Sequence, residues 1–162
     1  MNTSIPIDLV ATTQDKIPFE DEFVANGSRI FRIPNRRSAP MEYKRNFENI
    51  LREHPEIKAA HVHLNSCRRI EALEAAKKVG MQCIAHSHSS NSNFNKLTKT
   101  LHTINKKRLN KLADVRLACS DAAGHFIFGN SNFEVIKNGI DTEKFSFNHA
   151  YRDEIRREFD IG

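Results

Sequence analysis

Apolar and polar positions along this chain keep switching between two periods. Short apolar runs bounded by turn-forming residues predict strands at "PIDLVA" (6–11), "RIFRIP" (29–34), "AAHVHL" (59–64), "QCIAHS" (82–87), "VRLACS" (115–120) and "FEVIKN" (133–138). Between them the spacing turns helical. Phe19, Phe23 and Val24 share one face of "FEDEFVANG" (19–27), with Gly27 as its stop. Tyr43, Phe47, Ile50 and Leu51 do the same in "MEYKRNFENILREH" (41–54), which Pro55 ends. "CRRIEALEAAKKVG" (67–80) predicts a helix with Ser66 as N-cap and Gly80 as C-cap. A polar loop (88–93) leads to a long basic helix from Phe94 to Ala113, whose Leu97, Leu101 and Ile104 are expected to seat it on the sheet. "DAAGHFIF" (121–128) is a further helix, with Asp121 favourably placed in its first turn.

Strand and helix in alternation predict an α/β, Rossmann-like domain, a predominantly parallel sheet with helices on both faces. Ligands of such sheets bind outside the carboxyl ends of the strands. His61 and His63, His86 and His88, Ser120, and Asn138 with Gly139 all fall at or just past predicted strand ends. Residues i and i+2 of a strand point to the same side, so each His-x-His pair projects together. Three roles fit such pairs: a metal centre, a sugar-handling pocket, or a packed sheet edge. Catalytic metal sites usually recruit a carboxylate, and none has ligand-like spacing to either pair, so no resident metal is expected. A metal-dependent hydrolase that activates water on two His-x-His pairs is the alternative reading. His61, deeper in its strand, reads as structural.

Composition narrows the setting. A chain of 162 residues, 39% hydrophobic and 28% charged, suits one folded domain. It has no run of roughly 20 apolar residues and no secretory pattern at "MNTSIPIDLV", so a cytoplasmic location is expected. Cys67, Cys83 and Cys119 are widely spaced and odd in number, which predicts reduced, buried thiols. The net charge of +5 is concentrated: Lys96, Lys99, Lys106, Lys107, Arg108, Lys111 and Arg116 face one acid, Asp114. The basic helix 94–113 is therefore expected to meet an anionic surface such as the inner face of the cell membrane. Only Phe94 offers a stacking aromatic in that segment, so nucleic acid is not an expected partner. A non-catalytic domain that binds anionic surfaces is a further alternative.

The stretches "ACSDAAGHFIFG", "FEVIKNGIDTEKF" and "RDEIRREFDIG", preceded in order by "RIFRIP", "AHVHLNS" and "IAHSHSSN", resemble the N-terminal domain of retaining, GT-B glycosyltransferases of family 4. Enzymes of this kind are common in capsule and exopolysaccharide assembly. The resemblance covers nearly all of the chain. It implies transfer of a sugar from a nucleotide-sugar donor, used as substrate without a cofactor, to a glycan or lipid-linked acceptor. By position, His86 matches the family histidine that faces the donor sugar, with a role in orientation and electrostatic support. His63, Asn65 and His88 would be acceptor-side contacts, Ser120 a loop contact, and Asn138 and Gly139 a hinge-like connector. Residues 1–141 then form a partial, acceptor-side domain, and 142–162 a connector and helix leading toward a donor-binding domain. The family's opening strand with its glycine-rich loop and its paired glutamates seven residues apart have no counterpart here. The expectation is thus a fragment or split subunit, inactive alone and partnered by a separate C-terminal half.

Overall fold

The computed structural model describes residues 7–91 and 93–161. Strands β1 (Leu9–Ala11), β2 (Ile30–Arg32), β3 (Ala59–Leu64), β4 (Gln82–Ser87), β5 (Val115–Ala118) and β6 (Glu134–Val135) alternate with helices. These are α1 (Glu20–Ala25), α2 (Pro40–Glu53), α3 (Glu71–Lys78), α4 (Lys96–Leu112), α5 (Asp121–Phe128) and α6 (His149–Glu158). Every strand pairing among the described residues is parallel, as the alternation predicts. The strands fall into two sheets, a β1-β2 pair and a four-stranded sheet in the order β3-β4-β5-β6.

That sequential order decides which face is covered. Right-handed crossovers between successive neighbours carry their helices to the same side. Cys83 Sγ lies 3.8 Å from the Leu73 carbonyl on α3, and the buried Ser87 hydroxyl donates to the Ala123 carbonyl on α5 at 2.7 Å. Cys83 and Ser87 share one face of β4, so α3 and α5 both cover it. His86 points the other way.

The core lies between that covered face and the helices. Leu73, Leu109, Ile127 and Phe128 are fully buried, and Ala72, Ala75 and Ala76 let α3 approach closely. Tyr43, Phe47, Ile50 and Leu51 of α2 are buried as their spacing predicts. Pro40 occupies the first turn of α2, where its missing N–H costs nothing. Asp114 fixes the start of β4: its carboxylate accepts from the Cys83 amide at 2.8 Å and from Lys77 Nζ at 2.6 Å. Cys67 and Cys83 are buried free thiols, and burial pushes the Cys67 thiol up to about 12.

Several expectations are corrected. α3 begins at Glu71, and Ser66 does not cap it. Residues 67–70 instead form a turn that drops Cys67 and Ile70 into the core, where the Cys67 amide donates to His102 Nδ1 at 3.2 Å. The predicted apolar face of α1 is open, with Phe19 69% exposed. This helix has six residues, none of them buried, and is tied to β2 by the Arg32–Glu20 ion pair at 2.7 Å.

The face of α4 is also reversed. Leu97, Leu101 and Ile104 are 77%, 43% and 54% exposed, while His102, Asn105 and Leu109 are buried. Each buried polar side chain has a backbone partner: the Cys67 amide donates to His102, and Asn105 Nδ2 donates to the Arg68 carbonyl at 3.3 Å, while Asn105 Oδ1 is buried without a partner among the described residues. These bonds offset part of the cost of burying the two groups. β6 shrinks to two residues, and Asn138 and Gly139 lie beyond it in exposed, irregular chain. Neither has a positive φ, so the left-handed turn that Asn-Gly favours is not formed.

Candidate functional site

The parallel register between β3 and β4 sets His63 opposite His86 and Leu64 opposite Ser87. One step on, the His88 amide donates to the Leu64 carbonyl at 3.0 Å, and the Cys119 amide to the Ser87 carbonyl at 3.0 Å. The carboxyl ends of β3, β4 and β5 are therefore level. Opposed residues in a parallel ladder share a face, so His61, His63, His86 and His88 all project from the face that α3 and α5 leave uncovered.

There they form a continuous patch of imidazoles. His61 stacks on His63 with ring centroids 4.4 Å apart, and His86 lies 4.2 Å from His88. Across the strands, His61 Nε2 is 3.2 Å from His86 Nδ1, and His63 Nδ1 is 2.7 Å from His88 Nε2. His61 and His63 are exposed, His88 is half-buried, and His86 is 7% exposed. The Nε2 of His86 is buried and has no hydrogen-bond partner among the described residues. An unpaired buried nitrogen is costly unless a ligand or water satisfies it.

The surroundings favour the neutral form of three of these rings, His61, His63 and His86. Desolvation lowers the pKa of His61, His63 and His86, and neighbouring imidazoles lower it further. His63 falls to about 4. A neutral imidazole has one donor and one acceptor nitrogen, the complement needed to bind a hydroxyl in either sense.

The other expected site residues fare differently. Asn65 is exposed just past β3, at the edge of the patch. Ser120 follows β5, and its hydroxyl accepts from the Ala123 amide as the N-cap of α5, which accounts for it without a ligand. Asn138 and Gly139 lie in exposed chain, and a Cβ at Gly139 would meet nothing within 4 Å. His61, set aside as structural, touches His86 directly and belongs to the patch. Alternation alone pointed to it, since it shares a face with His63.

The basic segment divides as well. Lys106 donates to the His125 and Phe126 carbonyls near the end of α5, Arg108 pairs with Glu74, and Arg116 binds Asn110. Lys96, Lys99, Lys107 and Lys111 carry no ion pair among the described residues and lie on the same helix as the exposed Leu97, Leu101 and Ile104. Among those residues no helix is long and apolar enough to cross a membrane.

Comparison with known proteins decides the family. The Glycosyltransferase Family 4 model matches residues 5–144. The chain belongs to this family. It is also 29% identical over 161 residues to a Bacillus subtilis (strain 168) protein named "Putative glycosyltransferase EpsF". That match takes in 94% of this chain and 42% of the relative, so the chain spans less than half the length of the protein it resembles. One feature of the family 4 chain bears on the rival hydrolase reading. The metal-capable cluster among its described residues is made of histidines alone, and no carboxylate joins it.

Proposed function

We propose that this chain is the acceptor-side half of a retaining glycosyltransferase of surface polysaccharide biosynthesis. It moves a sugar from a nucleotide-sugar donor to a glycan or lipid-linked acceptor. The observation that carries the reading is His86: a neutral imidazole with a buried, unpartnered Nε2, at the carboxyl end of a strand in a family 4 domain. A sugar hydroxyl is a natural partner for that nitrogen. His86 orients the sugar and supports developing charge, with His61 holding its Nδ1 side. His63, His88 and Asn65 form the polar rim on the acceptor side. α4 brings the domain to the membrane, its exposed Leu97, Leu101 and Ile104 entering the headgroup boundary and its free lysines meeting anionic lipid. Donor recognition belongs to a second half, from which Asn138 and Gly139 form the connector.

The test supplies this chain with a donor-binding half that carries the paired glutamates, a lipid-linked acceptor and a nucleotide sugar, and measures nucleoside diphosphate release. Transfer should need both halves and should fall about 100-fold in His86→Ala, the usual loss on removing one preorganised hydrogen-bonding group. Wild-type turnover by His86→Ala would remove His86 from the chemistry. Absence of transfer across a panel of nucleotide sugars would sink the reading.

A further inference from the structure

Four mutually packed imidazoles are more than one sugar hydroxyl requires. His61, His63 and His86 each offer one ring nitrogen, and the three nitrogens lie within 4.8 Å of one another. The His61 Nε2 to His86 Nδ1 separation is 3.2 Å. For a tetrahedral ion with metal–nitrogen bonds of about 2.0–2.1 Å, the ligand–ligand edge is roughly 3.3–3.4 Å. One edge of the triangle of donors therefore already stands near the spacing of a metal's ligands, and the other two lie within 4.8 Å. Backbone hydrogen bonds hold them there: β3 and β4 are paired over six residues in a fixed register, so the rings are carried on a rigid frame.

Orientation and donor type point the same way. His88 Nε2, 2.7 Å from His63 Nδ1, fixes the His63 ring as outer-shell partners fix ligating histidines. A metal binds an imidazole through the lone pair of an unprotonated ring nitrogen, which each of the three rings can present. With nitrogen donors and no carboxylate, the set suits zinc, copper, nickel or cobalt and is poor for magnesium or calcium.

We propose that His61, His63 and His86 bind one borderline transition-metal ion of the zinc class, a three-imidazole site opening onto the uncovered face of the sheet. It needs only the three rings and does not depend on the transfer reading. Where both hold, the ion and the sugar make use of the same His86 ring.

The test uses untagged protein stripped with chelator, titrated with zinc chloride by calorimetry and with cobalt chloride by visible absorption. One equivalent should bind, with the ligand-field bands of a low-coordinate cobalt site and a raised melting temperature under zinc. His61→Gln and His63→Gln change exposed side chains and should leave the circular dichroism intact. Each should weaken binding at least about tenfold. His125→Gln, on the far side of α5, should bind as wild type, and magnesium should give no heat. Failure of the wild type to bind one equivalent, or wild-type affinity in both His61→Gln and His63→Gln, would overturn the site.

Discussion

Gly124, buried in the first turn of α5, offers a quantitative check on the packing that holds the site. A Cβ placed there would lie 2.1, 2.3 and 2.5 Å from Cε2, Cζ and Cδ2 of Phe133, the residue just before β6. Carbon atoms pack best at about 3.5–4.0 Å, so in Gly124→Ala the ring must retreat by roughly 1.5 Å. Phe128 stands 5.9 Å away on one side and His125 meets it edge-on at 5.2 Å, so the half-buried ring can give way only toward solvent and at the expense of these contacts. Overpacking of this kind costs about 1–3 kcal/mol, and so close an approach belongs in the upper part of that range. Opposing it is the helix preference for Ala over Gly, about 1 kcal/mol. A net destabilisation of about 1–2 kcal/mol follows, read as a lower urea midpoint with unchanged slope. The sign should reverse once the ring is gone: in a Phe133→Ala background the same substitution should stabilise by about 1 kcal/mol. The four proteins form a double-mutant cycle with a coupling of about 2–3 kcal/mol. If Gly124→Ala stabilised both backgrounds equally, the contact and the argument from it would fail.

Two further outcomes follow from the imidazoles and from α4. His63 titrates at about 4 in the folded chain against 6.5 for the free side chain. As pH falls below about 6.5 the unfolded state takes up its proton first, so this contribution to stability is lost between about pH 6.5 and 4 and is constant below. Solvent screening at this exposed ring holds the effect to about 1 kcal/mol, and His63→Gln should flatten denaturation midpoints across that window. A slope identical to wild type would show that the ring is not desolvated. For α4, liposomes with acidic lipid should retain the protein at low salt and release it at high salt, and Leu97→Asp with Leu101→Asp should weaken retention severalfold. Equal retention on neutral liposomes would rule out the electrostatic part.

Local sequence determined the class of this fold and the direction of many side chains. Period-2 and helical runs in alternation specify parallel α/β architecture, and spacing alone identified the buried face of α2. The same alternation required each His-x-His pair to project to one side. Positions of pairs along the chain, however, say nothing about distance between strands. His63 meets His86 because β3 and β4 pair in one particular register, a long-range choice made by the packing of α3 and α5 on the opposite face. The meeting of His61 with His86 depends on the same choice.

α4 shows the limit from the other side. It carries two stripes at helical spacing, one of leucine and isoleucine and one containing His102, Asn105 and Leu109. Hydropathy favours burying the first. The tertiary structure buries the second, because His102 and Asn105 find backbone partners at Cys67 and Arg68 that exist only after the turn before α3 has formed. Periodicity thus tells which residues share a face. Which face meets the core is decided by hydrogen-bond partners and neighbours that lie far away in sequence.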